Sequence, residues 1–177
     1  MPAGPHNPAG RAGPARRHPI DNRPPEPLPA MIAPRSAMPI DDEAWCTART
    51  AEVAAHVQAL GLAHGRIGDG PAWHAAPYAG LWVVERGDRP EWIGWWVICG
   101  DLPIDTLPAG GLETPRDALR AFGKRWSAHA ESMDRGEVPP AWSTRPLGEI
   151  PKLSATLKAR GAALVAWADE AGAWPED

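Results

Sequence analysis

Between Trp45 and Leu60 the apolar residues recur every three or four positions, in a stripe of Trp45, Ala48/Arg49, Val53, Val57 and Leu60. This spacing predicts a helix from Glu43 to Leu60, capped by Asp41 or Asp42 and stopped by Gly61. The period then shortens. Leu81–Glu85 and Trp92–Cys99 read as strands, and Arg86-Gly87-Asp88-Arg89-Pro90 between them is turn chemistry, so the two predict an antiparallel hairpin. The Arg-Gly-Asp tripeptide is accounted for by the turn and implies no adhesion role. On the second strand Trp95, Val97 and Cys99 fall on one side and Trp96 and Ile98 on the other. Both faces are apolar, which requires cover on both.

The flanking segments carry weaker patterns. Gly61 to Pro77 holds four Gly and two Pro and reads as a long connecting loop. After Cys99, Gly100 frees the backbone and Pro103 fixes it, so Asp101 and Asp105 are expected on a bend at the sheet edge. Thr114-Pro115-Arg116-Asp117 is a helix start, followed by Leu119, Phe122, Trp126, Ala130 and Met133 at helical spacing and by Gly136 as the stop. Pro139, Pro140 and Pro146 keep the chain extended or turning around Trp142. A last helix is expected from about Glu149, with Pro151 in its first turn and Leu153, Leu157, Gly161, Leu164 and Ala168 facing inward. The order helix, hairpin, helix, helix, with no internal repeat, predicts one α+β domain over residues 39–177. Its short antiparallel sheet would be built on the hairpin and packed by about three helices.

Composition changes the picture at the N-terminus. Residues 1–38 hold 10 of the 22 Pro, no Trp, and five Arg against two acids, too little apolar surface to offset the entropy of ordering. They are expected to be disordered, either as a Pro/Arg-rich tail that docks on a partner or as a mis-called start upstream of Met31 or Met38. The tail contributes +3 to the formal charge of −4, leaving −7 on the remainder, and so acidic a body argues against nucleic acid as a partner. No apolar run is long enough for a membrane span and the first 38 residues lack the apolar core of a secretory signal, so a cytoplasmic location is expected. Cys46 and Cys99 match neither a metal knuckle nor a redox pair and read as buried thiols in a reducing compartment. Ten Trp against one Phe and one Tyr is unusual, because each buried indole needs a partner for its N–H. Some indoles are therefore expected half-exposed, with Trp92 the exposed member of the hairpin set.

Candidate chemistry gathers at two places. Asp101 and Asp105, four apart across a Pro-containing bend, fit either an acid/base or cation-holding pair or two carboxylates capping turn N–H groups. Arg116, Arg120, Lys124 and Arg125 give the second helix a cationic side. It suits an anion lodged between Arg116 and Gly110-Gly111, or else a solvated face paired with Asp117, Glu113 or the acids near Gly100. His56, His64, His74 and His129 lack metal spacing, and none stands in a nucleophile motif. No cofactor and no metal is implied. A non-enzymatic binding or regulatory module for a protein or a small anionic ligand is the expected function, with Trp96, Asp101, Asp105, Arg116 and Arg120 at the contact surface. The alternative is a small hydrolase or transferase using Asp101 or Asp105 as acid/base while Arg116 holds an anion.

Trp96-x-Ile98-x-Gly100-Asp101-Leu102-Pro103-x-Asp105, then Pro115-Arg116-Asp117-Ala118-Leu119-Arg120-x-Phe122 and Trp126, resembles a small bacterial family known as domain of unknown function 4826. The resemblance is strongest over residues 80–130. Family members carry Trp-x-Ile-Ser-Gly-Asp-Leu-Pro-Thr-Asp at this place, so Cys99 and Ile104 depart from the usual Ser and Thr. Any chemistry that relied on those hydroxyls would be impaired here. The resemblance implies a domain boundary and a bacterial cytoplasmic setting, and carries over no catalytic or ligand residue.

Overall fold

The computed structural model describes residues 41–170 and Trp174; the expectation for residues 1–38 lies outside them. Helix α1, Asp42–Ala59, is capped by Asp41, whose Oδ1 accepts the Ala44 N–H at 3.0 Å. Val53 and Val57 are fully buried, whereas Leu60, expected on the same stripe, is half exposed because it falls past the last helical turn.

The segment expected to be a long loop contains two strands, β1 (His64–Ile67) and β2 (Trp73–Ala75). Both pair antiparallel with β3 (Ala79–Arg86), with His64 opposite Arg86 and Trp73 opposite Leu81, and together they form one interrupted edge. Gly65, one of the glycines that suggested a loop, serves close approach between strands instead: a Cβ there would lie 3.0 Å from the Arg86 carbonyl oxygen. β4 (Ile93–Gly100) pairs with β3 as the expected hairpin, Trp82 opposite Val97 and Leu81 opposite Ile98.

The expected bend from Asp101 to Asp105 is instead a tight turn at Asp101 followed by a further strand, β5 (Leu102–Pro108), paired antiparallel with β4. Gly100 allows the turn, with φ +139° and its α-carbon so close to Tyr78 that a Cβ would stand 2.6 Å from the Tyr78 carbonyl oxygen. The prolines did not exclude a strand because β5 is an edge. The Ala109 N–H donates to the Gly94 oxygen, which sets the alternation of the ladder. Asp105 bonds Ile98 across the ladder, while Thr106 (opposite Val97) and Pro108 (opposite Trp95) turn their backbone groups outward, where a missing N–H costs nothing.

The antiparallel sheet thus has the order β1-β3-β4-β5, with β2 beside β3, in an α+β fold of three layers. Trp82, Val84, Val97 and Cys99 pack against Val53 and Val57 of α1 on one face. Leu81, Trp96 and Ile98 pack on the other against α2 (Pro115–Asp134) and α3 (Ile150–Asp169). Both faces of β4 are covered, as its sequence requires. Thr114 caps α2 by accepting the Asp117 N–H at 3.1 Å. The two helices touch backbone to backbone where Gly123 meets Gly161: a Cβ on either would lie 2.7 or 2.8 Å from the other's carbonyl oxygen. The proline-rich connection forms 3₁₀ turns at Pro140–Trp142 and Leu147–Glu149. Cys99 is buried, but Cys46 is only half-buried, contrary to expectation; it stands on the Val53–Val57 face about two turns before Val53, towards the start of α1.

Candidate functional site

Of the five residues expected at the contact surface, Arg116 and Arg120 meet at one carbonyl and the other three lie apart. Trp96 is 1% exposed, and its indole N–H donates to the Leu112 oxygen at 3.1 Å, fixing the approach to α2. Asp101 projects from the β4–β5 turn into solvent and pairs with Arg160 of α3 at 2.6 Å. Arg116 donates from Nε to the Ala168 oxygen at 2.6 Å, and Arg120 reaches the same carbonyl at 3.2 Å and Asp169 at 2.9 Å. Two guanidinium groups thus meet the Ala168 carbonyl in the last turn of α3, where the helix dipole favours positive charge. Asp105 lies down the strand from Asp101, about 13 Å away at 3.3 Å per residue.

Asp105 is the centre of a different constellation. Its side chain faces α2, and the Trp126 indole N–H donates to Oδ2 at 2.8 Å in the buried interior. Oδ1 accepts the Thr106 N–H at 2.8 Å. Arg125 donates from Nη1 to the Thr106 oxygen at 2.9 Å, with Nη2 3.7 Å from Asp105 Oδ1. Both outward groups of Thr106 are therefore occupied by side chains. The Thr106 hydroxyl points to the opposite face and meets His56 Nε2 of α1 at 3.0 Å. Nearby, the Trp142 indole N–H donates to His129 Nδ1 at 2.9 Å, so that nitrogen carries no proton and the ring is neutral.

These groups border a cleft of about 210 Å³ along β5. Ile104, Asp105 and Thr106 form its floor, His56 and Leu60 one wall, and Arg125, Ala141 and Trp142 the other. Burial holds the His56 pKa below 6.5, against the opposing pull of the Asp105 and Glu52 carboxylates. Burial and then the Arg125 charge lower His129 likewise, with Asp105 again opposing. Elsewhere, burial raises Cys99 to about 12, leaving an unreactive thiol.

The sequence puts Arg125 on the cationic side of α2 and gives His56 and His129 neither metal spacing nor a nucleophile motif, without joining the three. A partial signal existed in Arg125 and His129, four apart and flanking the core position Trp126. The link to His56 runs through Thr106 on an unrecognised strand and had none. Of the ten Trp, the sequence singled out Trp92 as exposed, and it is 53% accessible. Trp82, Trp96, Trp126 and Trp142 find hydrogen-bond partners, while the buried Trp73 N–H has none. Among the described residues, no group of three or more His, Cys, Asp or Glu could hold a metal ion, and no helix is long and apolar enough to cross a membrane.

The described residues thus form a three-layer α+β domain in which Trp126 ties α2 to Asp105 of β5. The chain is a member of the family described as Domain of unknown function (DUF4826), which it matches over residues 40–174. No curated protein and no solved structure matches it.

Proposed function

We propose that the domain is a non-enzymatic binding module for a small anionic ligand, taken up in the cleft along β5. The observation that carries this reading is the cleft itself, bordered on the α2 side by Arg125 and an Asp105 whose two oxygens are already hydrogen-bonded, and on the α1 side by His56 and the Thr106 hydroxyl. With that carboxylate engaged by N–H donors, the Arg125 guanidinium retains donors for an incoming anion. Asp105 positions Arg125 and the Thr106 backbone. Trp96, Asp101, Arg116 and Arg120 support the scaffold and do not line this cleft.

A thermal-shift screen of the full chain against small carboxylates, phosphates, nucleotides and divalent cations tests the reading, because a ligand of the native state raises the melting midpoint by linkage. Anions are expected to raise it, and Arg125→Gln to abolish the shift. A flat screen, or a shift that survives Arg125→Gln, overturns it.

A second reading, a small hydrolase or transferase, draws support from the 3.0 Å contact between His56 Nε2 and the Thr106 hydroxyl, a base and a hydroxyl within reach in one cleft. Ester or phosphoester turnover that disappears in both His56→Gln and Thr106→Val would favour it over simple binding.

A further inference from the structure

Resting on the anion-binding reading, we propose that the ligand of the β5 cleft is a short aliphatic carboxylate. The cleft lining combines a cation with apolar surface. Arg125 offers a planar fork that matches the two oxygens of a carboxylate. Leu60, Ile104 and Trp142 in the same lining offer a hydrocarbon tail an apolar bed. Charge favours the same ligand. Among the described residues Arg125 is the one Arg or Lys lining the cleft, and Asp105, 3.7 Å from it, already offsets its charge, so a phosphate dianion would be repelled more strongly than a monoanion. Size limits the chain length. A volume of about 210 Å³ suits a small acid such as pentanoate rather than a drug-sized or long-chain ligand.

Titration calorimetry on the full chain with pentanoate, pentanamide and inorganic phosphate tests the assignment. Pentanoate is expected to bind at least about tenfold more tightly than its neutral amide. Leu60 lies at the half-exposed lip of the cleft, so Leu60→Asp should leave the fold intact and weaken pentanoate by repelling the anion and removing apolar wall. Arg125→Gln should abolish binding, with circular dichroism confirming that the variant folds, since Arg125 also holds the Thr106 carbonyl. Equal affinity for pentanoate and pentanamide overturns the carboxylate assignment. Phosphate binding without pentanoate binding also overturns it and leaves the anion site standing. No binding by either anion overturns both, and pentanoate binding unchanged in Leu60→Asp overturns the placement of the tail.

Discussion

Replacing each of the two β5-region acids by its amide separates their roles. Asp105 accepts one N–H on each oxygen, from Trp126 at 2.8 Å and from Thr106 at 2.8 Å. Asparagine has one carbonyl oxygen and one amino group, so in Asp105→Asn one of those two donors must face another donor. A hydrogen bond to a charged acceptor contributes about 1.5–3 kcal/mol, and loss of one inside the core is expected to cost at least that range. Asp101 is paired with Arg160 at 2.6 Å, but its side chain is 65% exposed, and an exposed pair is worth about 0–1 kcal/mol. For a chain of this size about 3 °C of melting midpoint accompanies each kcal/mol. Asp105→Asn should therefore lower the midpoint by about 5–10 °C and Asp101→Asn by about 3 °C or less. Urea unfolding followed by circular dichroism checks the free energies directly, with the slope against denaturant unchanged if the native fold is retained. Equal, small losses in the two variants would refute the account of Asp105 as the bonded acceptor between β5 and α2.

Other perturbations read different parts of the fold. Gly161→Ala should destabilise by about 1–3 kcal/mol, because the new methyl would stand 2.8 Å from the Gly123 oxygen and two helix backbones would have to separate; a thermal melt measures it. His129 is neutral in the fold with its pKa below 6.5, so the unfolded chain takes up the proton first as pH falls. Its contribution to stability is complete above pH 6.5 and is lost progressively below it. Melting midpoints at pH 7.5 and 5.0 should therefore differ less in His129→Gln, whose side-chain oxygen still accepts the Trp142 N–H, than in the parent. Cys99, with its pKa at about 12, should resist a thiol reagent at pH 8 in the native protein and react once unfolded, a difference that labelling with mass spectrometry reads.

Local signals carried most of the fold. Thr114-Pro115-x-Asp117 announces α2 because the cap is made within four residues, and the alternation at Trp95–Cys99 announces a doubly covered strand. β1, β2 and β5 escaped notice because their strand character comes from partners: an edge strand tolerates the Gly and Pro that signal loops elsewhere. The site was less legible for the same reason. Asp105 meets Trp126 across 21 residues, His56 meets Thr106 across 50, and the bases Arg116 and Arg120 find acceptors at the end of a helix some 50 residues on. Residue types were visible in each case, but which pairs would meet depended on the register of β5.

The occupied outer face of Thr106 bears on self-association. Edge-to-edge stacking of sheets propagates only when each copy can accept a strand on both sides. On β5 the exposed N–H and C=O of Thr106 are already claimed by Asp105 and Arg125, and Pro108 offers no N–H at all. Among the described residues, β1 and β2 carry no further strand on their outer side. A strand that added along β5 would have to displace both side-chain bonds to Thr106, so β5 resists edge pairing at its centre.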